Sequence, residues 1–508
     1  MRQRTTFFHK NENAIDPTSL KVAGRSISGP EVLAAREDRV TLGLEELPTE
    51  LQELLRKSHE LHIRWVSPYA YESIGPWSSR LPPGLHVFYT PEQGEKTGSE
   101  LLCPLIRNTF GVLDCSPLLE SFTRLPNDRF SHSTAYQYYH PLESLADFVL
   151  YAKQYTCLSS DSDCTRQAER LASATSLDFS YDAISHVVKI TALWPHEHQP
   201  LSISSHPDHR VEVGILTHDD SPYIEPHELG VTGLLTVLGE DTKPSPVLFS
   251  FPSRHKNAGS SFSSSFLSPT GLHPTLQLRI SSSRPPVEDS YCSIHAYLTL
   301  PRTIFADKYQ LGDELFLSSK NLTALRYISQ PVDLEAPDYV MKLWGSSVLL
   351  ELQPPASDPD DDDDGPWTAE IPLHLRYMSP APGGYRTADL PYPAVFWACA
   401  AGEGTKFASS PFERVNLGYD GLFGARTLFW HVSPEPEPDA GNRRIVNTAK
   451  VPVLDLERAA WVRSGTAAVV LLGFAWVVWK LLAVYLRTGY GGGYVQARTR
   501  REDEKKQQ

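Results

Sequence analysis

The stretch from Ser464 to Leu486 constrains this chain more than any other feature. Sixteen residues up to Trp479 carry no charge (SGTAAVVLLGFAWVVW), Lys480 interrupts, and six more apolar residues end at Leu486. As a helix these 23 residues reach roughly 35 Å, enough to cross the hydrocarbon core of a bilayer. Lys480 lies two turns from the end, where its long stem can carry the ammonium to the interface. Trp461 on one side and Tyr485 and Tyr490 on the other suit the aromatic belts. A buried helix of a soluble core is the competing reading. Within about 20 residues of each end, Lys/Arg are four upstream (444, 450, 458, 463) and six downstream (487, 498, 500, 501, 505, 506). That excess favours a cytosolic basic tail over 487–508 and a body on the lumenal side. A tail-anchored arrangement with a cytosolic body stays open, because no apolar run of signal-peptide length follows the basic N-terminus.

The residues before the helix can build real cores, since 41% of the 508 are apolar. Prolines number 41 and are spread along the chain, which breaks helices and favours short strands and turns. A net charge of −14 excludes the basic footprint that nucleic-acid binding needs. Residues 1–43 read as an irregular entry with some strand character. One amphipathic helix is predicted over 44–62, with others over 141–155 and 164–175. Strands are predicted at 61–66, 85–89, 184–193 and 211–216, then at 275–280, 292–300, 340–352, 371–377 and 394–398. The expectation is a mainly β protein of antiparallel, sandwich-like domains with a few helices, plus one C-terminal transmembrane helix. Its segments would be a β-rich domain over 1–257, a Ser/Gly-rich linker over 258–271 and a second β-sandwich over 272–431. A polar, Pro-containing linker over 432–463 would then lead to the helix at 464–486.

Chemistry-bearing motifs are few. The acidic run Asp358–Asp364 has Asp-x-Asp spacings, but its six aspartates, flanked by prolines, supply charge without the rigid geometry a metal site needs. His196, His198, His206 and His209, with Glu197 and Asp208 between, could bind zinc, although a solvated His-rich loop accounts for them more simply. No nucleophile elbow, phosphate loop or dinucleotide fingerprint is present. No catalytic residue, cofactor or metal is therefore expected. Asn321-Leu-Thr323 is an N-glycosylation acceptor. Of six cysteines, Cys157 and Cys164 bracket a polar turn and are the first candidate disulfide, with unpaired core cysteines as the alternative.

The second half resembles the PIG-X family, the accessory subunit of glycosylphosphatidylinositol (GPI) mannosyltransferase I, in its longer fungal form. The resemblance is carried by His273-Pro-Thr-Leu-Gln-Leu-Arg-Ile280, Cys292, Leu298-Thr-Leu-Pro-Arg302 and Asp333-Leu-Glu-Ala-Pro-Asp-Tyr339. It continues through Ile371-Pro-Leu-His-Leu-Arg-Tyr377, Gly384-Tyr385 and Pro391–Trp397, and covers about residues 270–486. It implies a single-pass endoplasmic-reticulum protein with a lumenal body. It also implies a partnership with the multi-spanning catalytic mannosyltransferase that adds the first mannose to the GPI precursor, and chaperone-like roles for other proteins there. An oxidising lumen favours disulfides, and the resemblance makes Cys292 and Cys399 a second candidate pair. Within the motifs, Leu373, Leu375 and Tyr377 would share one strand face and His374 and Arg376 the other. The second set, with Asp333 in the acidic turn, could contact the partner; alternatively Arg376 pairs with an acid such as Asp333 or Glu335. Ser464 and Ala468 form a small-xxx-small pair that would let another helix approach closely. The rival functions are a tail-anchored cytosolic scaffold and a glycan-processing enzyme built on the His cluster.

Overall fold

The structure, a computed structural model, describes residues 1–92, 98–126, 136–155, 157, 162–221, 223–225, 227–287, 291–329, 332–355, 365–402, 404–407, 410–412, 414–437 and 443–489. The acidic run 358–364 and all but the first residues of the tail lie outside these ranges.

Two large sheets dominate. The first has eleven strands, in the order Ser245–Pro252, Glu228–Val237, Arg210–His218, Arg2–Phe8, Val32–Gly43, Val187–Gln199, Ser176–Asp182, Ser58–Val66, Gly84–Pro91, Tyr136–His140 and Thr123–Arg124. The second has eight, in the order Leu322–Ile328, Gly345–Leu352, Cys292–Pro301, Ala394–Ala400, Thr427–Pro434, His255–Phe266, Thr275–Ile280 and Trp367–Pro372. Neighbours are antiparallel, with one parallel pair in each sheet, Arg2–Phe8 with Arg210–His218 and His255–Phe266 with Thr427–Pro434. The protein is thus mainly β, with mixed rather than purely antiparallel sheets.

Period-2 patterning explains a strand beside one edge of the second sheet. In Thr275–Ile280, Leu276, Leu278 and Ile280 are buried while Arg279 is exposed. Its central strand Cys292–Pro301 is buried on both faces from Ile294 onward.

Several sequence expectations change. Residues 1–43 are not an irregular entry: they hold two strands at the heart of the first sheet. Val32–Gly43 hides from a hydrophobic-alternation reading because Arg36, Glu37, Asp38 and Arg39 stand in its middle. Their charges are satisfied by ion pairs, Arg36 with Asp38 at 2.7 Å and Arg39 with Glu37 at 3.5 Å. The helix expected over 44–62 is confined to Thr49–Arg56, with Leu54 and Leu55 buried, and the chain becomes a strand from Ser58. Cys103 and Cys115 form a third disulfide, and the helix Gly98–Phe110 carrying Cys103 was not expected because Pro104 sits inside it.

The domain boundary also moves. The Ser/Gly-rich run is no linker, since most of it lies in the strand His255–Phe266, where Phe262 pairs with Ile280. Small serine side chains fit this interior strand, and Ser264, itself buried, accepts a hydrogen bond from Asn447 at 2.9 Å. The two halves share one core: Val66, Tyr71 and Leu81 pack in the same cluster as Tyr297, Phe396, Tyr419 and Phe429. Gln137 donates to the Tyr297 hydroxyl at 3.1 Å, and the Trp344 indole donates to the Gln137 carbonyl at 2.9 Å. Residues 1–377 and 387–449 accordingly form one compact unit.

A second unit comprises 378–386 and 450 onward. Its helix runs Leu456–Thr488, starting eight residues before the apolar stretch because Asp455 caps it by accepting from the Glu457 N–H at 3.2 Å. The linker expected over 432–463 is further reduced by the strand Val446–Pro452, which buries Asn447, Ala449 and Val451. None of the helix's apolar window is buried, and its length and composition suit a single membrane crossing. Lys480 folds its ammonium over the rings of Trp476 and Trp479, at 4.7 and 5.2 Å.

Candidate functional site: a motif corner

Four of the motifs quoted from the second half, those at His273, Arg302, Asp333–Tyr339 and Ile371–Tyr377, meet at one corner of the second sheet. Just past Arg302 the chain makes the short strand Ile304–Phe305, which pairs with His374–Leu375. Arg376 then donates its backbone N–H to the Thr303 carbonyl at 2.9 Å, and Asp338 donates to the Tyr377 carbonyl at 3.0 Å. The Asp333–Tyr339 segment is thereby fastened to the Ile371–Tyr377 segment.

Arg376 holds the corner together. The residue is only 4% exposed, its guanidinium lies 4.5 Å over the Phe305 ring, and Nη1 donates to the Ala336 carbonyl at 2.8 Å. Burial lowers its pKa, while Asp333 and Asp338 oppose that shift. Asp333 forms no ion pair with it. Its Oδ1 instead accepts the N–H groups of Glu335 and Ala336, both at 2.9 Å, shaping the turn and holding its carboxyl below the usual range. Arg376 is therefore an internal clamp, and burial removes it from any partner-facing surface.

His374 is also turned to internal work. Its Nδ1 lies 2.8 Å from Nδ1 of His273, its Nε2 lies 3.0 Å from Gln310 Oε1, and its ring stacks on Phe305. With Gln310 Oε1 as acceptor, the His374 proton sits on Nε2 and His273 donates to Nδ1. Burial, and secondarily His273, lower the His374 pKa, so the ring is neutral at neutral pH.

The corner instead presents its apolar neighbours. Tyr377 is 67% exposed, Tyr339 64% and Val340 61%, and Leu334 is also exposed. Strand alternation places Tyr377 inside with Leu373 and Leu375, but the strand ends at Leu375 and that parity ends with it. The cavity beneath, lined by Arg302, Phe305, Met341 and Arg376 among others, is about 10 Å³, room for roughly one water. This is a shaped surface rather than a ligand pocket. Arg376→Ala is expected to cost about 2–4 kcal/mol from the lost charged hydrogen bond and ring contact. Arg376→Lys should not restore it, because an ammonium cannot both stack and span. Tyr377→Ala should leave thermal stability unchanged. Thermal denaturation of the three variants checks this.

The remaining candidates lie apart. His196 and His198 are on the strand Val187–Gln199 rather than in a loop, with His196 3.6 Å from Glu72, while His206 faces Asp208 at 3.5 Å. Among the described residues, no three His, Cys, Asp or Glu side chains are arranged to hold a metal. Asn321 sits exposed in a left-handed turn (φ 55°) after the helix Glu314–Ser318, with Thr323 also exposed. Cys157 is bonded to Cys164, and Cys292 to Cys399, the latter two directly opposite in neighbouring strands. Ser464 and Ala468 are exposed on the long helix.

A family model described as PIG-X / PBN1 matches residues 269–482. The relative named Protein pbn1 of Neurospora crassa is 58% identical over 491 residues, covering 96% of this chain and 97% of that protein. Protein PBN1 of Gibberella zeae is 47% identical over 489 residues, with the same coverage. Protein PBN1 of Yarrowia lipolytica is 27% identical over 524 residues, again covering 96% and 97%.

Proposed function

Because the chain belongs to the PIG-X / PBN1 family, we propose that it is the non-catalytic accessory subunit of GPI mannosyltransferase I in the endoplasmic-reticulum membrane. In this reading the β-rich body is lumenal, the tail 487–508 is cytosolic, and the multi-spanning catalytic subunit is the partner it stabilises. A chaperone-like role toward other lumenal proteins belongs to the same reading. The observation that carries it is the exposed Tyr339, Val340 and Tyr377 surface, held on a frame made of family motifs and fixed by buried Arg376. Aromatic side chains set on a rigid support are what a protein interface uses as anchors. All six cysteines are paired, which suits an oxidising compartment.

Asn321 tests the topology. Its Nδ2 donates to the Thr368 carbonyl at 2.8 Å, a contact the remaining N–H can keep once a glycan is attached. Endoglycosidase treatment of the full chain should raise its gel mobility by one glycan, and Asn321→Gln should abolish the shift. An unshifted wild-type chain together with a protease-accessible body in sealed microsomes would favour the cytosolic scaffold instead.

A further inference from the structure

We propose that the strand Ser245–Pro252 is a self-complementary edge through which two copies of this chain pair. It is the last strand of the eleven-stranded sheet, and among the described residues no strand lies on its outer side. The backbone fixes which groups point outward. Asp219 donates to the Gly230 carbonyl and Leu238 to the Val211 carbonyl, so the even-numbered residues of Glu228–Val237 face inward. The odd-numbered ones then bond to their partners, Val231 to Phe249 and Leu229 to Phe251, and Ser253 donates to the His227 carbonyl in the same phase. Positions 246, 248, 250 and 252 are left facing outward.

Two of those four are prolines. The open edge therefore offers two donors, the N–H groups of Leu248 and Ser250, and four carbonyl acceptors. An antiparallel second copy, with Phe249 on the two-fold axis, sets Leu248 opposite Ser250 and Pro246 opposite Pro252. Every donor then finds a carbonyl, giving four hydrogen bonds. The prolines meet at positions where a continued ladder would need donors that neither copy has, so they end the pairing there and the product is a closed dimer rather than a growing sheet. Side chains agree with this register. Leu248 is 70% exposed, Phe249 is partly exposed beside Phe251, and the two copies of Phe249 would face each other across the axis. No charge occurs from Ser245 to Pro252, so two copies of a chain with net charge −14 meet there without local repulsion. One strand per copy is a small interface, and a membrane-crossing helix raises the local concentration that it needs.

Single-cysteine cross-linking of the full chain in membranes tests the register, since the chain has no free thiol of its own. Phe249→Cys places two thiols at a non-hydrogen-bonded pair about 4.5 Å apart between Cα atoms, within disulfide reach. Ser245→Cys, exposed on the same strand, places them roughly 27 Å apart. Mild oxidation should give at least about tenfold more dimer from the first than from the second, and Leu248→Pro in the Phe249→Cys chain should remove that excess. Equal cross-linking of the two variants, a monomeric Phe249→Cys chain whose thiol still reacts with maleimide, or a cross-link to a different protein would each overturn the proposal.

Discussion

Asp178→Ala is expected to destabilise the body by about 3–5 kcal/mol, because it strands buried positive charge. Asp178 lies between Arg64 at 3.6 Å and Arg414 at 2.9 Å, and Arg64 is only 2% exposed. Around them, Arg4 and Arg39 both reach the Pro411 carbonyl and pair with Glu37, and Arg64 donates to the Val415 carbonyl. Four arginines thus share two carboxylates and clasp the segment around 411–415 against the first sheet. Burial lowers the pKa of Arg64, and Asp178 is the first group to oppose that. Removing it leaves desolvated guanidinium groups without a counter-charge, whereas Asp178→Ala with Arg64→Met removes charge of both signs. The double variant should therefore lose clearly less than the sum of the single losses. Chemical denaturation of the four-protein cycle measures this. A loss below about 1 kcal/mol for Asp178→Ala would mean that water reaches the cluster.

The paired replacement Cys292→Ala with Cys399→Ala should cost about 4–5 kcal/mol by the chain-entropy argument, since this bond closes a loop with a sequence separation of 107. The loop contains Asp333–Tyr339 and Arg376, so the motif corner is inside what the bond constrains. Removing Cys103 and Cys115, separated by 12, should cost less, about 3 kcal/mol. Denaturant midpoints of the two paired variants give the order directly. A larger loss from the shorter loop would contradict the entropic account.

What could be read from the residues was whatever followed one simple period. The membrane segment, the strands over 211–216 and 275–280, and the helix ending at Tyr155 all carry clean apolar patterns. Val32–Gly43 did not, because its charges are neutralised by partners rather than by solvent, and hydropathy cannot tell the two apart. The boundary at 258–271 failed for a related reason: serine looks like a linker residue but packs well in a strand whose neighbours are close. At the corner, the motif segments come together, but the polar side chains singled out in them are not the ones that face outward. Arg376 and His374 carry polar groups that look outward-facing, yet Ala336, Gln310 and His273 satisfy them internally. Tyr377, which strand alternation would bury, is exposed because the strand ends at Leu375, and Tyr339 is exposed on the short 3-10 helix Asp338–Val340.

Recovery of the tagged full chain from membranes in mild detergent tests the central claim most directly. The multi-spanning catalytic mannosyltransferase should co-purify with it, and depletion of the chain should lower the abundance of that enzyme. Tyr339→Ala with Tyr377→Ala should weaken the recovery without changing stability. Absence of the enzyme from the isolate, with its abundance unchanged on depletion, would contradict the account.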